Sequence, residues 1–433
     1  MPTQVMFDRQ SDGVLSAEPE LHDDAHVLSG GGPLSIDLSL HDDLASIEKE
    51  WRGFEERADC TVFQTFDWLS TWMRHIGTRE GAKPVVVIGR DRGAMLFIMP
   101  FALDASGRVL GWLGTSLCNY NGPLLARDFA QRVPPAEFLR TWREVKRLLR
   151  SRLGHDLVDL EKMPQTIGAQ PNPFCALGVT PHMNSAYLTK LGTDWETYYA
   201  GKRSSSTRRS DRKKQRRLSE HGEVSFITAE GRDEVARTLD ALIEEKTVSY
   251  AKLGVDNMFE RPGYRDFFLA MATGEQSARF THLSRIQVGD AIAAANFGLV
   301  FRGSYNYLLA GYDDGDLARF GPGSLQLLEM MRYAIEKGFA IFDFTIGDEP
   351  YKREWCDGEL HLYDYVAPAT LRGVTVAMPT MGKRIVKHRI RNSPRVWAMV
   401  RKMRMFVSSL RRKDGGLAPD QHVQAKPALG DSE

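Results

Sequence analysis

Apolar positions along the chain follow two rhythms, one helical and one alternating. Over residues 43–58 and 61–77 they recur at helical spacing, and Trp68, Leu69 and Trp72 share a face. Residues 83–103 alternate around a polar turn and predict a hairpin. Residues 134–154 predict a helix with proline at its start, and 155–164 a short strand running into a loop.

The same order then returns. Residues 232–254 and 264–276 predict helices, 278–313 three strands joined by Gly-Asp and Arg-Gly turns, 323–338 a helix, and 339–350 a strand and loop. Each half reads helix, helix, antiparallel strands, helix, strand. The expectation is therefore an α/β chain, a sheet-helix sandwich built from a duplicated unit. Asp159 and Asp343 fall at similar points of the two halves. The first half lacks the Gly-Pro-Gly turn and Tyr-Lys pair of the second, so chemistry is expected in the second.

Composition narrows the class. At 433 residues and 42% hydrophobic content, two or three domains are expected. Lys and Arg number 57 against 56 acids, so no global field points to DNA. Cys60, Cys118, Cys175 and Cys356 form no CxxC, which argues against zinc or a disulfide framework. No signal-like start and no apolar run of about 18 residues occur, so a cytoplasmic protein is expected. Charge is nevertheless local: residues 201–217 and 383–413 are strongly basic, and the second stretch has no acid.

The stretch from Arg319 to Trp355 carries the candidate chemistry. Gly321, Pro322 and Gly323 form a turn after a strand, and Ser324 opens a helix with Leu325, Leu328, Met331 and Ile335 on its apolar stripe. A glycine turn at a helix N-terminus can hold an anion, with Arg319 as an added cation. Asp343 lies in an apolar strand, where a carboxylate either sits in a structural ion pair or faces a cavity as a base. Just beyond, Gly347 permits a sharp turn, and Asp348, Glu349, Tyr351, Lys352 and Trp355 crowd a strand-end loop, where open α/β sheets bind ligands. Lys352 could stabilise an oxyanion and Tyr351 could donate a proton to a leaving group.

Two further groupings belong to the second half. Residues 206–221 predict a helix with Arg209, Lys213, Arg216 and Arg217 on one face, suited to phosphate groups of a ligand. Lys246 and Tyr250 stand at i, i+4, with Glu245 nearby, and could hold an acceptor hydroxyl or amine. No G-x-S-x-G or HExxH motif occurs, which fits direct attack without an enzyme nucleophile. Residues 383–413 mix cations with Trp397 and Phe406, the composition of a helix that lies on anionic lipid at the inner face of a membrane.

The residues from "FGPG" through "FDFTIGDEPYKREW" resemble the GNAT-like acetyltransferases of cellulose and exopolysaccharide biosynthesis, the CelD/BcsL group, related to the Fem-type peptidyl transferases. "FQTFDWLSTWMRHIG", "LGTSLCNYNGPLL" and "EEKTVSYAKLGVDNMF" carry the resemblance further, over roughly residues 44–371. It implies two tandem GNAT-like domains at 36–183, as a degenerate copy, and at 184–371, as the catalytic one. Around them lie disordered tails at 1–35 and 414–433 and a basic helical tail at 372–413.

The resemblance also implies acyl transfer from acetyl-CoA to a small or lipid-linked saccharide, with no metal. Arg208 and Arg209 would face the groove. The usual GNAT phosphate loop has Gln or Arg where Ala318 stands, one place before Arg319, and Pro322 removes an N–H from the cradle. The alternatives are a Fem-like transferase using aminoacyl-tRNA, or a non-catalytic partner of a polysaccharide synthase.

Overall fold

The computed structural model describes residues 35–379 and 382, except Ser116 and Asp348. Of the expected tails at 1–35, 372–413 and 414–433, only residues 35, 372–379 and 382 are described, and the basic stretch 383–413 lies outside the described residues. The described residues from Ile36 onward form one compact unit.

The first half opens with strand β1 (Ile36–His41) and helix α1 (Leu44–Glu55), capped by Asp43, whose carboxylate accepts from the Ala45 and Ser46 amides. Helix α2 (Phe66–Trp72) follows, capped by Thr65. The hairpin β2 (Lys83–Asp91) and β3 (Ala94–Leu103), strand β4 (Val109–Trp112), helix α3 (Pro135–Arg152) and strand β5 (Leu157–Pro164) complete it.

The second half opens with strand β6 (Ala186–Lys190) and helices α4 (Trp195–Lys202) and α5 (Ser205–Ser219). Strand β7 (Val224–Thr228) leads to helices α6 (Arg232–Leu253) and α7 (Tyr264–Thr273). Three antiparallel strands follow, β8 (Thr281–Val288), β9 (Ala291–Phe301) and β10 (Ser304–Tyr312). Helix α8 (Pro322–Glu336), strand β11 (Ile341–Ile346), the single turn α9 (Pro350–Arg353), β12 (Gly358–Leu360) and β13 (Leu362–Pro368) follow, and residues 371–379 are helical at the end of the described fold. The repeating rhythm of the sequence is thus a mixed α/β fold, as expected, with two large sheets and one two-stranded one.

Each sheet contains one parallel pair at the same point of its order. In the first sheet β4 and β5 pair through Val109↔Leu157 and Leu110↔Val158. In the second, β10 and β11 pair through Ser304↔Ile341, Tyr305↔Phe342 and Asn306↔Asp343. The second sheet runs β7-β8-β9-β10-β11-β6-β12. The first runs β1-β2-β3-β4-β5-β13 and ends on the two-residue strand Thr180–Pro181. Strand β13 therefore comes last in sequence, inside the expected 184–371 segment, but hydrogen-bonds antiparallel to β5 of the first sheet.

The two halves share a core. Trp68 of α2 packs edge-on against Phe267 of α7, with ring centroids 4.9 Å apart, and both are fully buried. Arg302 donates from Nη1 to the Ala58 carbonyl at 2.6 Å and from Nη2 to that of Glu55. Burying two aromatic side chains and two cation-to-carbonyl bonds across one seam stabilises it by several kcal/mol, on the order of 2 per large apolar side chain.

Candidate active site

Beyond Asn306↔Asp343 the parallel strands β10 and β11 stop pairing and diverge. The cause lies in Thr345. It sits at φ 59°, a left-handed conformation that costs a β-branched residue on the order of 1–3 kcal/mol. Two bonds hold it there. Its amide donates to Asp343 Oδ1 at 2.7 Å, and its hydroxyl donates to the Tyr307 carbonyl on β10 at 3.2 Å.

The divergence opens a cleft of about 720 Å³. Tyr307, Ala310 and Gly311 of β10 form one wall, and Phe344, Thr345 and Ile346 of β11 the other. Helix α6 closes one side with Lys246, Ser249 and Leu253, and α8 the other with Gly323, Ser324 and Leu327.

At one end lies the glycine turn. Gly321 adopts φ 67°, a conformation glycine takes without steric cost, and serves as N-cap of α8 with no side-chain cap. The Ser324 and Leu325 amides both donate to the Gly321 carbonyl, at 3.0 and 3.2 Å. Pro322 has no N–H, so Gly323 supplies the turn's free amide. The dipole of a 15-residue helix adds to it. The cation that joins them is Lys214 of α5, which lines the cleft: a Cβ placed on Gly321 would stand 3.8 Å from its Nζ and 3.7 Å from Ser324 Oγ. Arg319 is not brought to the cleft. It is exposed and lies over the Phe320 ring, 4.8 Å from the centroid.

At the other end lies Lys352, 3% exposed. Its Nζ donates to the Ile346 carbonyl at 3.1 Å and the Thr345 carbonyl at 3.4 Å, and pairs with Glu349 Oε2 at 3.0 Å. Gly347 makes room for this pair: at φ 140°, an added Cβ would lie 2.3 Å from Glu349 Oε2 and 2.8 Å from Lys352 Nζ. Tyr351 lines the cleft with its ring at the surface, and burial of its hydroxyl raises the pKa, followed by the neighbouring Tyr307 and Glu349. It stays protonated and is a donor.

Asp343 stands behind the wall rather than on it. Both its oxygens accept from the Tyr120 hydroxyl at 2.8 Å. Burial pushes its pKa from 3.8 up to about 6, against the two hydrogen bonds and the charge of Lys352. Trp355 is buried at the cleft, stacked on Tyr199, and the Arg203 guanidinium lies over its ring, 4.9 Å from the centroid.

Of the acceptor-side residues, Lys246 reaches the cleft with its Nζ 4.8 Å from the Tyr250 centroid, and burial lowers its pKa. Tyr250 lies beneath it and does not line the cavity. Glu245 packs behind Gly311, and burial, then the charge of Asp313, raises its pKa to about 8. Arg208 is half-buried at α5, and Arg209 projects outward. Asp348 lies outside the described residues.

Sequence reasoning missed Tyr120, Thr345 and Lys214. Nothing in the spacing of Tyr120 announces a bond to a residue 223 positions away. Lys214 had a signal: Leu218 is the one fully buried residue of α5, and Asp211, Lys214 and Gln215 share its face toward the turn. The face of Arg209, Lys213, Arg216 and Arg217 is the opposite, solvent-exposed one.

The first half shows the corresponding point closed. Lys162 adopts φ 58°, and its Nζ donates to the carbonyls of Thr115 and Cys118 at 2.8 and 2.9 Å. It bridges the ends of the segments that flank β4 and β5, where the second half has its cleft.

Residues 205–353 match the acetyltransferase (GNAT) domain family. That span begins at α5 and ends one residue past Lys352, so it contains both walls of the cleft. No curated protein matches the chain. Among solved structures, FemX is 10% identical with a TM-score of 0.51, over 76% of this chain and 97% of that one, and shares its fold. A conserved protein of unknown function from Bacteroides thetaiotaomicron VPI-5482 is 12% identical with a TM-score of 0.48, over 76% and 99%. A tandem GNAT protein from the clavulanic acid biosynthesis pathway is 11% identical with a TM-score of 0.41, over 78% and 99%.

Proposed function

We propose that this GNAT-type acyltransferase domain moves an acetyl group from acetyl-CoA to an amine or hydroxyl of a saccharide in envelope or exopolysaccharide assembly. The observation that carries the reading is the wedge between β10 and β11, which runs from the Gly321 turn to Lys352. A pyrophosphate fits the first end, with the Gly323 amide, Ser324 hydroxyl and Lys214 ammonium as partners. The thioester then lies toward Thr345 and Lys352. The saccharide acceptor and the CelD/BcsL grouping rest on the sequence resemblance.

The acceptor's nitrogen or oxygen attacks the thioester carbonyl, the C–S bond breaks, and the acceptor loses a proton while the CoA sulfur gains one. Holding both reactants in one cleft supplies most of the acceleration. Lys352 places positive charge near the developing oxyanion, and the neutral Tyr351 hydroxyl donates to the leaving sulfur. Asp343 acts one layer back, as a positioning residue for Thr345. The first half, with Lys162 across its corresponding strands, serves as a non-catalytic wall that supplies Tyr120.

The test is release of free thiol from a panel of acyl-CoAs with amino-sugar and sugar acceptors. Acceptor-dependent release is expected, and none with any donor sinks the reading. A second reading, transfer from aminoacyl-tRNA, is favoured by the unpaired cations on α5. Retardation of aminoacyl-tRNA in a gel, with a steep salt slope, would support it over the first.

A further inference from the structure

Acyl transfer leaves two features of the cleft mouth unused. The first is the outer face of α5. Arg209, Lys213 and Arg216 form a stripe at i, i+4 and i+7, flanked by Arg212 and Arg217, and all five are exposed. Among the described residues none of the five has a carboxylate partner, whereas Arg203, Arg265, Arg285 and Arg332 are all paired. From Arg209 to Arg217 the stripe spans roughly 12 Å of the helix.

The second feature is an apolar rim. Leu253, Tyr312 and Tyr351 line the cleft and are 58%, 55% and 37% exposed. Val255, two residues past Leu253, is 42% exposed. Burying such surface is favourable, and nothing in the described fold covers it.

The elements that carry the two features adjoin. Lys214, on the face of α5 opposite the stripe, abuts Gly321, and the Tyr312 ring lies against Gly323 of the same turn, where an added Cβ would come within 3.0 Å of it, so α5 lies against the turn beside the rim with its stripe facing outward. The loop after β10 adds Asp313, Asp314 and Asp316, and Asp314 is paired with Lys252.

We infer that this face docks on an anionic membrane, with the cleft mouth turned toward the bilayer and an acceptor carried on a membrane lipid entering from it. A bilayer interface uses both features at once: anionic headgroups attract the cations, and the interfacial zone takes in aliphatic and tyrosine side chains. An RNA would satisfy the cations and could stack on Tyr312, but it gains little from Leu253 and Val255. The lipid-carried acceptor rests on the acyl-transfer reading, while the docking does not.

The experiment is co-sedimentation of the full chain with phosphatidylcholine vesicles, plain or with about a third phosphatidylglycerol. Two variants are compared, Arg209→Glu/Lys213→Glu/Arg216→Glu and Leu253→Ser/Val255→Ser, each checked for an unchanged melting transition. Preference for the anionic vesicles is expected, falling at least tenfold in the charge-reversed variant and several-fold in the rim variant. No preference in the native chain overturns the proposal. So does binding that survives charge reversal, which would assign the vesicle contact elsewhere in the chain. Vesicle binding indifferent to the rim variant, together with tRNA binding lost on charge reversal, makes the face a nucleic-acid surface instead. Docking with no thiol release from any acyl-CoA would retain this proposal and remove acyl transfer.

Discussion

The Tyr120 hydroxyl bridges both oxygens of Asp343, each at 2.8 Å, from the other half of the fold. The carboxylate it meets holds Thr345 at the point where the cleft begins. Burial raises the Asp343 pKa from 3.8 to about 6, so between those values the folded chain binds a proton that the unfolded chain releases. This group's contribution to stability is full below pH 3.8, declines as pH rises to 6, and is constant above. Asp343→Asn removes that slope, worth roughly 2–3 kcal/mol across the window. Melting from pH 4 to 7 measures it, and an unaltered slope in the variant refutes the assignment. The variant should remain folded and lose most turnover, because the amide holds Thr345 less firmly.

His282 acts in the opposite sense. It is stacked on Tyr333 at 3.9 Å and bonded to the Tyr305 hydroxyl, and burial lowers its pKa from 6.5 to about 3. The unfolded chain takes up its proton first, so stability falls as pH drops from 6.5 toward 3. His282→Phe should resist acid better between pH 6 and 4 while losing on the order of 1 kcal/mol at pH 8 from its lost bonds to the Tyr305 and Thr228 hydroxyls. Equal acid sensitivity of variant and native chain would locate the acid-labile group elsewhere.

Lys352→Ala should leave the fold intact and reduce turnover at least tenfold, with a smaller effect on acyl-CoA affinity. The lysine's carbonyl partners belong to the two residues that shape the wall, and its charge lies at the acyl end. Near-native kcat would move the reacting centre away from this strand end.

Lys214→Ala and Arg319→Ala separate a cation that adjoins the glycine turn in space from one that adjoins it only in sequence. Losing a charge-assisted bond costs about 1.5–3 kcal/mol, or roughly tenfold to a hundredfold in affinity. Acyl-CoA binding, read by thermal shift, should weaken by that factor in Lys214→Ala and hardly change in Arg319→Ala. The reverse order would mean that the donor's phosphates take another path.

The helices and the alternating strands were legible because their periodicities are long and their punctuation strong. The helix expected at 232–254 is Arg232–Leu253, ended by Gly254 at φ 63°. The glycine turn and the strand-end crowd were legible for the same reason, since both are local. Tyr120 and Lys214 were not, because their places depend on which face of one element meets another across the chain. Arg319 shows the converse: proximity in sequence suggested a phosphate partner, and a half-turn of backbone put the side chain on Phe320 instead. Thr345 could not be read as left-handed, since threonine adopts that conformation only where tertiary bonds impose it.

Strand β13 reaches back from the end of the fold to line β5. This has a bearing on how the protein is made. A nascent chain that has emerged only through Pro164 presents β5 with one flank unpaired, and the partner that covers it is some 200 residues from being synthesised. The first half therefore cannot finish before the second during translation. A fragment ending near residue 183 should aggregate, whereas the same fragment supplied with a peptide of the β13 sequence should stay in solution.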